Sequence, residues 1–190
     1  TRANGGIVIV HDANEGILIA RGGDKVSFAT ATSWGGANAF KSLAIHDAAT
    51  FDLGDSSFEA GNITFNDADS KLHLETATMG CDRTIKGNFV AAHDGDGILD
   101  LKAATTKGDI KLEGGAIGTN LARIGQLLDS SDGNKTIKFD AALGVANFKK
   151  VTVNSDIEFN GGLNTVNGDF GEINFTANKT LKIAGGKLGE

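Results

Sequence analysis

The chain has 190 residues, a formal net charge of −6, 40% apolar and 22% charged residues, 27 Gly, and neither Pro nor Tyr. That length allows one sizeable domain with a real core, and the balance of apolar and charged residues excludes a disordered acidic segment. High Gly without a G-X-Y period excludes collagen, and Lys and Arg are too scattered to form the basic stripe that nucleic-acid binding requires.

No apolar run is long enough to span a bilayer as a helix, and no signal peptide opens the chain. The abrupt start at Thr1 and stop at Glu190 read as a mature or excised piece of something longer. Cys81 stands alone, so no internal disulfide forms, and a buried apolar thiol is its simplest role.

Period-2 alternation, the strand signal, runs through the chain from Ile7-Val8-Ile9-Val10 to Leu181-Lys182-Ile183. One unit recurs: a strand, a polar Asp/Asn turn, and a second apolar-x-apolar strand. Its copies are 7–20 (IVIVHDANEGILIA), 42–53 (SLAIHDAATFDL), 62–74 (NITFNDADSKLHL) and 88–101 (NFVAAHDGDGILDL). Looser copies follow at 127–139, 153–159 and 172–183. The last apolar residues of these units are Ile19, Leu53, Leu74, Leu101, Phe139, Phe159 and Ile183, with gaps of 34, 21, 27, 38, 20 and 24. The two long gaps predict loop insertions at 29–41 and 113–134. Within the second, Leu121, Ile124, Leu127 and Leu128 predict a short helix capped by Thr119 or Asn120.

A unit of this size cannot bury its apolar face alone, whereas stacked units can. The predicted fold is therefore a single all-β domain over 1–190, a right-handed parallel β-helix of about six to seven coils. At about 4.8 Å per coil, the rod would be roughly 30–35 Å long. A β-sandwich is the alternative; it explains the alternation but not the recurrence of the turn with its flanks.

His11-Asp12, His46-Asp47 and His93-Asp94 fall at matching points of three units, with Asn66-Asp67 in the same slot of another. A stacked His/Asp ladder would suit a transition metal. Turn chemistry inherited by each repeat explains the same residues more simply. Asp67-x-Asp69 and Asp94-Gly95-Asp96-Gly97 offer oxygen ligands for calcium, but EF-hand spacing and the calcium-binding nonapeptide are both missing. The metal candidates carried forward are His11, His46, His93, Asp94 and Asp96. No catalytic motif stands out and no cofactor is implied; Gly-Gly pairs such as 114–115 and 161–162 read as tight corners. Trp34, the single Trp, falls in the first predicted insertion and reads either as a contact residue or as the closure of a core end.

The segment Gly114-Gly115-Ala116-Ile117-Gly118-Thr119 through Ile124-Gly125 resembles a recurrent phrase of rickettsial surface-antigen autotransporters, the outer membrane protein A and B group. The phrase Asn178-Lys179-Thr180-Leu181-Lys182-Ile183, and its echo from Asn134 to Phe139, is similar to the same passengers. The resemblance is clearest from about residue 108 onward. It implies a β-helical passenger domain, carried to the surface of a Gram-negative cell by a C-terminal membrane barrel, and acting as an adhesin or a protein surface layer. It carries no catalytic residues. Expected partners are other copies of the chain or neighbouring passenger segments, and a host-cell protein or glycan. No nucleic acid and no membrane span within this segment are expected. The competing function is a β-helix that binds or cleaves polysaccharide, which would need acids and bases gathered on one face.

Overall fold

The computed structural model describes residues 15–22, 25–27, 39–77, 81–104, 108–132, 135–165, 171–176, 178–185 and 188. His11, Asp12 and Trp34 lie outside them. The strands begin with β1 (Glu15–Ala20), β2 (Lys25–Ser27), β3 (Phe40–Ile45), β4 (Thr50–Asp52), β5 (Phe58–Phe65), β6 (Lys71–Glu75), β7 (Arg83–Ala91) and β8 (Ile98–Lys102). They continue with β9 (Ile110–Glu113), β10 (Ile124–Asp129), β11 (Thr136–Phe139), β12 (Ala146–Val153), β13 (Asp156–Phe159), β14 (Leu163–Asn164), β15 (Glu172–Phe175) and β16 (Leu181–Ile183).

All pairings between these strands are parallel, and each strand pairs with its counterpart about one coil away. The fold is a right-handed parallel β-helix of about six turns, as the repeat predicts. A β-sandwich, built from antiparallel sheets, is excluded.

Each coil passes through three faces. On face one, Phe58, Ile85, Leu112, Phe139, Phe159 and Ile183 stack in register. Face two stacks Leu18, Leu43, Ile63, Phe89, Ile117, Ala146, Leu163 and Leu188. Face three stacks Val26, Phe51, Leu72, Leu99, Leu127, Val151 and Ile173. Strand residues alternate in direction, so every second side chain points inward and the ladders form one apolar column. Phenylalanines fill it where the ladders meet. Phe139 and Phe159 stack with ring centroids 4.3 Å apart, and Phe148 meets both edge-on.

The corner between faces one and two runs through β5 and β7, where the register shifts after Glu59. A Cβ at Gly87 would lie 2.3 Å from the Ala60 carbonyl oxygen, so only glycine lets the two backbones approach there.

Each of the two long gaps spans a change of face. Leu74 pairs with Leu101 on face three, whereas Phe139 pairs with Phe159 on face one, so the spacing of 38 spans a change of face. Ile19 likewise belongs to face two, where it pairs with Ala44. The insertion expected at 29–41 lies almost wholly outside the described residues, between the paired strands β2 and β4. In place of the predicted helix, Leu121 lies in a loop and Ile124, Leu127 and Leu128 lie in strand β10. Its spacing of three between Ile124 and Leu127 comes from Gly125-Gln126, which turns two consecutive residues away from the core.

Candidate functional site

The structure places the sequence-predicted histidines apart. His46 N–H donates to Ala20, Asn66 N–H to Ile45 and Ala92 N–H to Phe65, so His46, Asn66 and Ala92 occupy equivalent corner positions. His93 falls one residue past that register and does not stack on His46. Asp47 and Ala48 turn the corner at φ 55° and 56°. Asp67 accepts from Ala48 N–H at 3.1 Å and from Ser70 Oγ at 2.9 Å. Asp96 accepts from His93 N–H at 2.9 Å, and its carboxylate lies 3.0 Å from His93 Nδ1. Among the described residues, no three His, Cys, Asp or Glu side chains converge as metal ligands. Asp47, Asp67 and the His93–Asp96 contact thus all take part in corner turns.

Asp94 has a partner the sequence reading missed. Arg123, with no exposed surface, donates through Nε and Nη2 to the two Asp94 carboxylate oxygens at 2.9 and 2.8 Å. Its backbone N–H adds a third bond to Asp94 at 3.0 Å, and Nη1 reaches the Thr165 carbonyl at 2.8 Å. Lys149 Nζ lies 3.5 Å from the same carboxylate. The hydrogen bond from Arg123 holds the Asp94 carboxyl far below the usual range, against an opposing effect of burial.

The densest titratable cluster lies on the outer side of face three. Asp52, His73 and Asp100 are in register on adjacent strands. Lys25 pairs with Asp52 at 2.6 Å, and Lys71 lies 3.8 Å from Asp100. His73 Nδ1 is 3.1 Å from Asp100 Oδ2, and Ser130 Oγ donates to Asp100 Oδ1 at 2.7 Å. Burial raises the Asp100 pKa, but His73, Ser130 and Lys71 together outweigh it and the net direction is down. The order of contacts matters chemically. Serine and histidine both face the carboxylate, so the serine-to-histidine contact of a nucleophilic triad is not made.

Elsewhere, outward charges pair between successive coils. Lys86 meets Glu59 at 2.8 Å and Lys138 meets Asp109 at 2.9 Å on face one, and Lys102 meets Glu75 at 2.8 Å on face three. Face two differs. Beyond Glu15 and Lys41 at its edge, a strip of it at positions 17–20, 42–45, 62–65, 88–91, 116–118 and 145–147 holds no Asp, Glu, Lys or Arg. A loop at 118–122 folds over its later coils, held where Asn164 Nδ2 donates to Asn120 Oδ1 at 2.7 Å. Where that loop begins, a pocket of about 370 Å³ opens, lined by Asn62, Asn88, Val90, Ala116, Thr119 and Ala122 among others.

Comparison with known protein families, with curated proteins and with solved structures finds no significant match.

Proposed function

We propose that this chain is a non-enzymatic structural scaffold of the surface-passenger kind, extended end to end by contact with further coils of other copies. The observation that carries this reading is the regular stack of parallel coils, with outward charges paired from one coil to the next; the last described coil shows what a further coil would cover. Phe175 and Leu188 are 56% and 58% exposed, whereas their counterparts one coil earlier, Val153 and Leu163, are both fully buried. Ile173, Leu181 and Ile183 beside them are also only half-buried. These side chains occupy core-facing ladder positions, on strands whose outer edges are templates for parallel pairing. A further coil, whether later in the same protein or from another copy, would bury these large apolar groups, each worth about 1.5–3 kcal/mol. The pairing of charges between coils supports the same reading, because it spends them on the stack itself.

The resemblance to rickettsial-type passengers adds an extracellular, Gram-negative setting and an adhesive or surface-layer role. Electron microscopy and light scattering of the purified chain test the reading. Fibres that disappear in Phe175→Asp support it; a monodisperse short rod at high concentration overturns it.

The polysaccharide reading has one foothold, the strip of Asp52, His73 and Asp100. The two carboxylates stand two strands apart, about 9.6 Å by strand spacing, at the edge of the separation of an inverting pair. His73 fills the interval that the attacking water would need, and both carboxylates are largely buried. Release of reducing ends from a polysaccharide panel, abolished by Asp100→Asn, would favour this reading over the scaffold.

A further inference from the structure

We infer that the uncharged strip of face two is the contact surface of a two-fold pair of copies of this chain, in which Leu121 of each copy enters the other's pocket. Leu121 is 81% exposed and sits between Thr119 and Ala122, loop residues that flank the pocket, yet it does not line that pocket itself. A knob therefore stands immediately beside a hole on one surface. A two-fold axis needs this arrangement, because each copy then supplies both halves of the fit.

Charge selects the occupant. The chain carries a net −6, and faces one and three display rows of Asp and Glu among their lysines. Two copies meeting through either would have to take these paired charges out of water. Meeting through face two, they oppose Asn, Thr, Ser and aliphatic groups, with Ile17, Ile19 and Val90 exposed on the open coils. Depletion of charge with enrichment of apolar side chains is the composition of an interface centre.

Size sets the strength. Four open coils at about 4.8 Å and four residues at about 3.3 Å give a strip of roughly 250 Å². Even with the loop and pocket added, the area stays below the roughly 800 Å² per partner of a standard interface. The pair is therefore weak and reversible. It is lateral, and so independent of the end-to-end contact proposed above.

Sedimentation equilibrium of the full chain tests it, from about 10 μM to about 1 mM, the range in which weak pairing is read. In the Phe175→Asp background, which removes end-to-end growth, the weight-average mass should rise toward twice the monomer, and it should remain monomeric when Leu121→Asp or Val90→Lys is added. Both of the latter residues are exposed, and an unchanged circular dichroism spectrum confirms folding. A parent that stays monomeric throughout overturns the pair. So does association that survives Leu121→Asp and Val90→Lys but vanishes in Phe175→Asp, which would make the contact end to end only.

Discussion

Arg123 and Asp94 join two successive coils through a guanidinium with no exposed surface and a carboxylate that stays partly open to water. The fork of Nε and Nη2 on both carboxylate oxygens is the geometry in which arginine holds a carboxylate most firmly. Removing Asp94 takes from the buried cation the carboxylate that binds its Nε and Nη2. Asp94→Ala should destabilise the chain by about 3 kcal/mol, read as a lower urea midpoint. Arg123→Met, which removes the charge and keeps the bulk, should cost less. Equal losses in both variants would show that packing, not charge, sets the effect.

Acid should act through the same residue. The Asp94, Asp100 and Asp109 carboxyls all titrate lower in the folded chain than in the unfolded one. The unfolded state therefore binds more protons as pH falls. The stability these groups contribute is complete above the unfolded value of about 3.9 and is lost as pH drops below it. Urea midpoints measured from pH 7 to pH 2 should fall steeply below pH 4, and Asp94→Asn should flatten that limb. An unchanged limb in the variant would remove Asp94 from the account.

At the corner between faces one and two, Gly87→Ala drives a methyl against the Ala60 carbonyl oxygen, a backbone atom that no rotamer change can move. A loss of about 2 kcal/mol or more is expected. Thermal unfolding measures it, and Gly144→Ala makes a steric comparison, because a Cβ there has no neighbour within 4 Å.

Asp129 is fully buried and accepts from Ser131 N–H, Asn154 N–H, Ser155 N–H and Ser155 Oγ at the corner leading into β13. Asp129→Ala strips several donors of their acceptor at once. With each unmet buried group costing about 1–3 kcal/mol, the variant should lose at least about 3 kcal/mol, or fail to accumulate as folded protein.

The strands and their stacking were legible because alternation and a recurring turn are local signals. The face assignment was not. Leu101 and Phe139 each end an apolar-x-apolar strand, and nothing local distinguishes a face-three strand from a face-one strand. Only the register shows that Leu101 sits opposite Asp129. The helix misreading has a similar root, since a corner that turns Gly125 and Gln126 outward mimics the three-residue spacing of a helical face. Arg123 was invisible as a site residue for a further reason. It pairs with a residue 29 positions earlier, a distance that acquires meaning only when the coil length is known. The His/Asp turns showed the opposite failure. They look equivalent in sequence, but one residue of offset separates His93 from the position of His46.

The reach of Arg123 to the Thr165 carbonyl has a consequence for how the rod comes apart. In a solenoid each repeat touches only its neighbours, so coils can peel away singly from either end. Thr165 lies two coils beyond Arg123, and Asp94 one coil before it. One side chain thus spans four successive levels and bonds the first, second and fourth, and none of those three can open without breaking a bond to another. Backbone amides between about residues 88 and 165 should exchange with solvent as one cooperative block, while the coils built on β1 to β4 fray one at a time.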